Sequence, residues 1–532
     1  MFKIQSKYIL LSIVFAFVSC AKRGTITGGT KDTLSPVLKM SLPKNFSTDF
    51  KGKEIKLNFD EYVKLKDVNK QLVVSPPMNT PPEILPTAAS REITIKIKDT
   101  LQPNTTYSFN FGQSIQDNNE GNPFSQFKYV FSTGSSIDSL KIEGTIKDAL
   151  EKKPDNFVTV MLYEINEKYN DSTVYKKKPR YVTNTLDSLK SWKIENVKAG
   201  KYLLIALKDF NNNFKFDPKN DKIGFYKDEI SIPTTSKYEL KLFKESPAFK
   251  ALKPVQASGN RAIVGYEGNP KNCKIVLKNG NTILPTVVTH FPKKDSLQVW
   301  FNKIKTDSLS LTVTNGNYNK NFTFKIKDEK RDTISFTATP TGILNPRDAF
   351  VLTSSIPIVK LDNSKISLRN KDSLSIPFTT EYDEFNQKIN FKFKREEAQK
   401  YTFRMLPGAF VNFFEKANDT LNYKLDTRTT TEYGNLTLNL EHVKHFPVLV
   451  ELTDEKGLVL ASEYAESNPK VIFEGLEPAK FYLRIIYDEN SNKQWDPGNF
   501  ITKRQAEEVI YFPKQIDVRA NWDVEQPVDL AP

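Results

Sequence analysis

The most chemically suggestive spacing in this 532-residue chain is Asp-x-Asn-x-Asn-x-x-x-Asp, which occurs twice. It runs through Asp209, Asn211, Asn213 and Asp217, and again through Asp488, Asn490, Asn492 and Asp496. Side-chain oxygens that alternate along a tight loop can converge on Ca²⁺, which takes about six to eight oxygen ligands. The pattern departs from such a loop at two positions. Phe214 and Lys493 stand where the sharp turn wants glycine, and Asn220 and Asn499 stand where a bidentate glutamate would close the shell. Asp221 is placed to substitute in the first copy. The competing reading is an Asx-rich turn between two strands, in which Asn and Asp bond their own backbone. Calcium, if held, would be structural, and the sequence requires no other cofactor.

Catalytic groupings are scarce. Three His and two Cys leave no zinc or thiol-redox framework. His442 and His445, in Glu441-His442-Val443-Lys444-His445, lack the second carboxylate and the helix of a zinc protease; on a strand they would face opposite sides. His290 precedes Phe291-Pro292, and Cys273 has no neighbouring His, so it reads as a buried thiol. Nucleophile elbows and phosphate loops lack a strand-to-helix setting. The chain reads as a non-enzyme with no catalytic residues.

The elements that must position these groups are strands. Composition is globular, at 38% hydrophobic and 26% charged, with Phe 37 and Tyr 21 against Met 5 and Trp 4. Glu54–Phe59, Ile93–Ile97, Tyr107–Phe111 and Phe127–Phe131 alternate polar with apolar, the period of a half-buried strand. Only a short turn near Arg395–Gln399 hints at helix. The fold class is all-β, as tandem β-sandwich domains in two duplicated halves. Tyr401 repeats Tyr107 and Thr427 repeats Thr133 at the same offset of 294 residues. Val197–Pro218 and Leu476–Pro497 align at an offset of 279, through Lys201/Lys480, Leu204/Leu483, Asp209/Asp488 and Pro218/Pro497. Constant offsets at separated places point to duplication.

The N-terminus carries an address. Lys3 and Lys7 precede an apolar run, Tyr8–Val18, too short to span a bilayer and followed by Ser19-Cys20. Phe17-Val18-Ser19-Cys20 resembles a lipobox of the looser kind found in Bacteroidetes. That resemblance implies a signal peptide at 1–19, lipidation of Cys20 and a lipid-anchored tether at 20–35. The alternative is an ordinary signal peptide with a chance cysteine.

Beyond the tether, the 36–134 block resembles the bacterial Ig-like domain of S-layer proteins and Bacteroidetes lipoproteins. The residues that carry this are Ile55–Val63, Leu72–Pro77, Leu101–Phe111, Ile115, Asp117, Gly121, Asn122 and Phe127–Gly134. The family implies a binding and spacing module without catalytic residues. By repetition, 333–428 is a second Ig-like sandwich. Residues 137–250 and 430–532 resemble transthyretin-like sandwiches of the carboxypeptidase-regulatory type, and 251–332 is a β domain without a family.

Two surface features complete the reading. Asp followed by Ser or Thr and then an aliphatic or Thr resembles the Bacteroidetes O-glycosylation acceptor. It implies Thr33, Thr100, Ser139, Ser172, Ser188, Ser296, Ser308, Thr333, Ser373 and Thr420 as acceptors. The alternative is an Asp-Ser turn ahead of an apolar strand residue. The net charge of +14 is spread widely, and its one dense cluster is Tyr175–Tyr181 (YKKKPRY). An exported basic protein meets acidic glycans and lipopolysaccharide, so nucleic acid is not an expected partner.

The expectation is an extended string of sandwiches, lipid-anchored in the outer membrane. It would be an accessory subunit of an outer-membrane β-barrel complex for transport or barrel assembly, or a partner of other lipoproteins. The alternative is a glycan-binding or adhesive surface lipoprotein that uses loop aromatics such as Trp192 or Trp495. Size and the glycosylation motifs favour the cell surface; Ala21-Lys22-Arg23-Gly24, which lacks acidic residues, favours the periplasmic face.

Overall fold

A computed structural model describes residues 31–531 apart from 168 and 187–189. The described chain is built from strands, with four short helical turns such as Val68–Gln71 and Thr173–Lys176. No described helix is long and apolar enough to cross a membrane. The chain divides into two compact units, Met1–Ser139 and Leu140–Pro532.

In the first unit, Glu54–Leu65 pairs with Leu38–Leu42 and Ser90–Lys96, and its far end pairs with Ile115–Asp117. A second sheet joins Val73–Ser75, Thr106–Asn110 and Lys128–Ser132. The alternation read from the sequence does its work here. Ile55, Leu57, Ile93 and Ile95 turn inward from one sheet, and Tyr107, Phe109, Tyr129 and Phe131 from the other. Phe131 lies stacked on Tyr107 with ring centroids 5.5 Å apart. Aromatic pairs of this kind add to the stabilisation from apolar burial alone.

Among its described residues the second unit holds four large cores in succession. Their buried residues run from Ile142 to Leu242, Ala251 to Phe324, Leu344 to Leu425, and Leu436 to Leu530. Its first and last sandwiches share one topology. In the first, Leu140–Asp148 pairs antiparallel with Ser191–Val197 and parallel with Lys237–Leu242. In the last, Gly434–Glu441 pairs in the same way with Lys470–Leu476 and Asp523–Asp529. Opposite these lie matching five-stranded sheets, centred on Gly200–Lys208 and Ala479–Tyr487. The stretch without a family is also a sandwich: Arg261–Glu267 and Ser296–Phe301 lead one sheet, and Lys274–Asn279 and Ser308–Asn315 the other.

The four sandwiches of this unit do not form the extended string expected from the sequence. Neighbours touch in turn, through Lys219–Glu267 at 2.9 Å, His290 N–H to the Phe385 carbonyl at 2.7 Å, and Arg347–Glu463 at 2.6 Å. The last sandwich then returns to the first. The Tyr511 hydroxyl donates to the Leu150 carbonyl at 2.9 Å, and Lys503 pairs with Asp171 at 2.8 Å. The unit closes into a ring.

Candidate functional site

Each Asp/Asn loop leaves the central strand of its five-stranded sheet and returns to an edge strand. In the first copy the loop lies between Gly200–Lys208 and Lys222–Phe225. Asp209 accepts the N–H groups of Asn211 at 3.1 Å and Phe214 at 2.7 Å. Asn213 accepts that of Lys215 at 2.8 Å. Asp221, fully buried, accepts Phe210 N–H at 3.0 Å and Asp217 N–H at 2.9 Å.

The second copy repeats this with one change: Asp209 holds the N–H two residues on, and Asp488 the one four residues on. Asp488 accepts the N–H groups of Asn492 at 3.1 Å and Lys493 at 2.8 Å, and Asn492 accepts that of Gln494 at 2.8 Å. The part of Asp221 is taken by Glu507, which accepts Glu489 N–H at 2.9 Å and Asp496 N–H at 2.8 Å. Phe214 and Lys493, in the place of a glycine, adopt φ of 60° and 64°, so the sharp left-handed turn is made without glycine.

The two leading carboxylates differ in electrostatics. Burial pushes Asp209 above the ordinary carboxylate range, and the N–H donors and the nearby Asp221 charge leave it there. Burial also acts on Asp488, but the Lys493 N–H and the Tyr464 hydroxyl, 2.9 Å away, outweigh it and hold Asp488 low. In both loops the carboxylate oxygens face donors, the geometry of a turn that satisfies its own backbone. No three acidic, His or Cys side chains gather as a metal would need among the described residues. The loop oxygens are hydrogen-bonded within the turn, as the Asx-rich reading expects.

The other candidates are scattered rather than brought together. Cys20 lies outside the described residues. His442 and His445 sit in the loop after Gly434–Glu441 rather than on a strand, with Asp529 at 2.8 Å and Glu489 at 3.2 Å. Cys273 is half-buried, and burial pushes its thiol up to about 11, so it is a poor nucleophile. In the Tyr175–Tyr181 cluster, Lys176 and Lys177 face solvent while Tyr175 turns inward to the Phe216 ring.

Trp192 is a core residue, 4% exposed, whose indole N–H donates to the Thr145 carbonyl, so it is not a loop aromatic. Trp495 is half-buried and donates to the Glu507 carbonyl at 3.2 Å. Among the acceptor candidates, Thr33, Thr100, Ser139, Ser172, Thr333, Ser373 and Thr420 are exposed. Ser296 and Ser308 are half-buried as the first residues of strands, the turn-closing alternative, and Ser188 lies outside the described residues.

Sequence reasoning missed Glu507. The signal was present: Pro497 lies 279 residues after Pro218, but Glu507 lies 286 after Asp221, so the second loop is seven residues longer. The strand pairings confirm the new offset, with Ile205 opposite Phe225 and Arg484 opposite Tyr511.

Comparison with known proteins gives one family and several remote structures. No curated protein matches the chain. Among solved structures, the surface layer protein SbsC, domains 1–6, is 10% identical over 91% of this chain and 67% of its own, with a TM-score of 0.16. The extracellular domains 3–5 of Drosophila OTK are 11% identical over 55% of this chain and 93% of their own, with a TM-score of 0.14. A titin fragment is 13% identical over 34% of this chain and 100% of its own, again with a TM-score of 0.14. The bacterial Ig-like domain family matches residues 32–133, the segment whose two sheets enclose the Tyr107–Phe131 core. That segment of the chain is similar to the bacterial Ig-like domain family.

Proposed function

We propose that the chain is a non-enzymatic scaffold, held in the outer membrane by acyl chains on Cys20 and serving as an accessory subunit of an outer-membrane β-barrel complex. The observation that carries this reading is where the polar side chains are used. The loop carboxylates hold backbone N–H groups, and ion pairs such as Arg347–Glu463 and Lys503–Asp171 join one sandwich to the next. Chemistry-bearing groups are thus committed to fixing geometry, as a spacing framework needs. Two or more acyl chains give stable membrane attachment where one would not.

The glycan-binding reading loses its two named aromatics, since Trp192 is core and Trp495 is half-buried and hydrogen-bonded. Affinity purification from gently solubilised membranes tests the proposal. A stoichiometric β-barrel partner is expected, and retention on polysaccharide without such a partner would reverse it. Cys20→Ser should leave the protein unprocessed or release it from the membrane fraction. Exposure at the cell surface is part of the proposal, and digestion of the sandwiches by protease added to intact cells checks it.

A further inference from the structure

The seven extra residues of the second loop have a structure and a destination. Asn499 and Arg504 exchange backbone hydrogen bonds at 2.7 and 3.0 Å, and the Asn499 side chain accepts Thr502 N–H at 3.0 Å. Lys503 takes a φ of 54° and donates its N–H to the Phe500 carbonyl. The tip Phe500-Ile501-Thr502-Lys503 is therefore a finger shaped by its own bonds. Gly498 at its base lies so close to the first sandwich that a Cβ there would sit 2.4 Å from the Phe243 ring.

The finger enters the first sandwich of the same unit. Phe500 is 0% exposed while its neighbour Ile501 is 55% exposed, so one side chain is buried and the next is not. The Phe500 ring meets Phe225 edge-on at 5.4 Å and Tyr175 at 6.2 Å. Its backbone N–H donates to Glu245, a carboxylate only 6% exposed. Lys503 places its ammonium 3.9 Å from the Phe500 ring centroid and 2.8 Å from Asp171. Gln505 donates to the Phe225 carbonyl at 2.9 Å. The shorter first-copy loop passes from Pro218 to Asp221 with no room for such a finger.

We infer that the first sandwich carries a receptor site for a short aromatic-x-x-Lys turn, and that the finger is its resident ligand, latching the ring shut. Phe225, Phe243 and Tyr175 form an apolar socket for one ring. Glu245 reads the main-chain N–H of that aromatic residue, and Asp171 reads a cation three residues later. A buried carboxylate aimed at a backbone N–H gives direction to a contact that apolar burial alone would leave unspecific. The latch makes a tethered internal dimer from the two copies, and the sandwiches between them are held by their ends.

The test uses the full chain. One variant shortens the finger by the seven residues that the first copy lacks; another is Lys503→Asp, alone and combined with Asp171→Lys. Scattering and calorimetry are the readouts, with circular dichroism as the check on folding. The shortened chain should keep its strand signal, expand in scattering and split its unit-wide melting transition into two. Lys503→Asp should do the same in part, and the charge-swapped pair should restore the compact form. A cyclised peptide spanning residues 497–507 should bind the shortened chain saturably and leave the intact chain untouched. Unchanged scattering and melting in the shortened chain would overturn the inference, as would failure of the swapped pair to rescue.

Discussion

Tyr401 accepts the backbone N–H of Glu396 through its hydroxyl at 2.7 Å, closing the turn that enters its strand. Tyr107 closes the equivalent turn on Gln102 at 2.9 Å, 294 residues earlier. The match extends to the partner strand, where Thr133 donates to the Gln102 carbonyl and Thr427 to the Glu396 carbonyl, both at 2.7 Å. Both tyrosines are buried, and each hydroxyl holds the N–H of an exposed turn residue. Tyr401→Phe should lower stability by about 0.5–1.5 kcal/mol, the net worth of one such hydrogen bond. Chemical denaturation of wild type and variant checks it, with Tyr423→Phe, whose hydroxyl closes no such turn, as the comparison.

These tyrosines also show what the sequence could reveal. The strand alternation around Tyr107 and Tyr401, and their shared offset, are local facts, and local facts set the all-β fold. The closing contacts of the second unit are not local. Phe500 and Glu245 are 255 residues apart, and no periodicity links them. The insertion was visible as a change of offset, but its destination depends on where the Phe225 and Phe243 rings lie in a different sandwich. The Asp/Asn loops differ: the spacing suits an ion and an Asx turn alike, and which N–H donor each oxygen meets is set only once the chain has turned. Side-chain spacing records which atoms are near, and not which way they point.

Arg484 and Glu451 form a nearly buried ion pair at 2.5 Å between adjacent strands of the last sandwich. Arg484 also meets the Tyr511 hydroxyl, which reaches the Leu150 carbonyl of the first sandwich. Glu451→Ala strands a guanidinium away from water, and about 3–5 kcal/mol of stability should be lost. Replacing both residues with Met should cost much less, because no buried charge is left over. Thermal melts of the single and double variants decide it; equal losses would mean that packing, not charge, dominates there.

Glu245 should make the closed form of the second unit sensitive to pH. Burial pushes its carboxyl above the ordinary value of 4.5, and the Phe500 N–H offsets this only in part. The folded state therefore holds this proton more tightly than the unfolded chain. Its contribution is most favourable below pH 4.5, falls as pH rises from there to the raised folded value, and is constant above it. Glu245→Gln keeps an oxygen for the Phe500 N–H but cannot ionise. The stability of wild type relative to this variant should decline across that window and then level off. A difference that stays flat from pH 4 to 8 would show that the carboxyl titrates alike in both states.

Chelation should leave the loops unchanged. Asp209 and Asp488 spend both carboxylate oxygens on backbone N–H groups, and Asp221 and Glu507 do the same. A calcium ion would have to share oxygens that the backbone N–H groups of the turn already engage. Melting curves with chelator and with millimolar calcium should therefore superimpose. Asp209→Ala should destabilise the first sandwich of the second unit equally in both conditions, because what it removes is a hydrogen-bond acceptor for Asn211 and Phe214. A calcium-dependent rise in melting temperature that Asp209→Ala abolishes would show instead that the oxygens serve a cation.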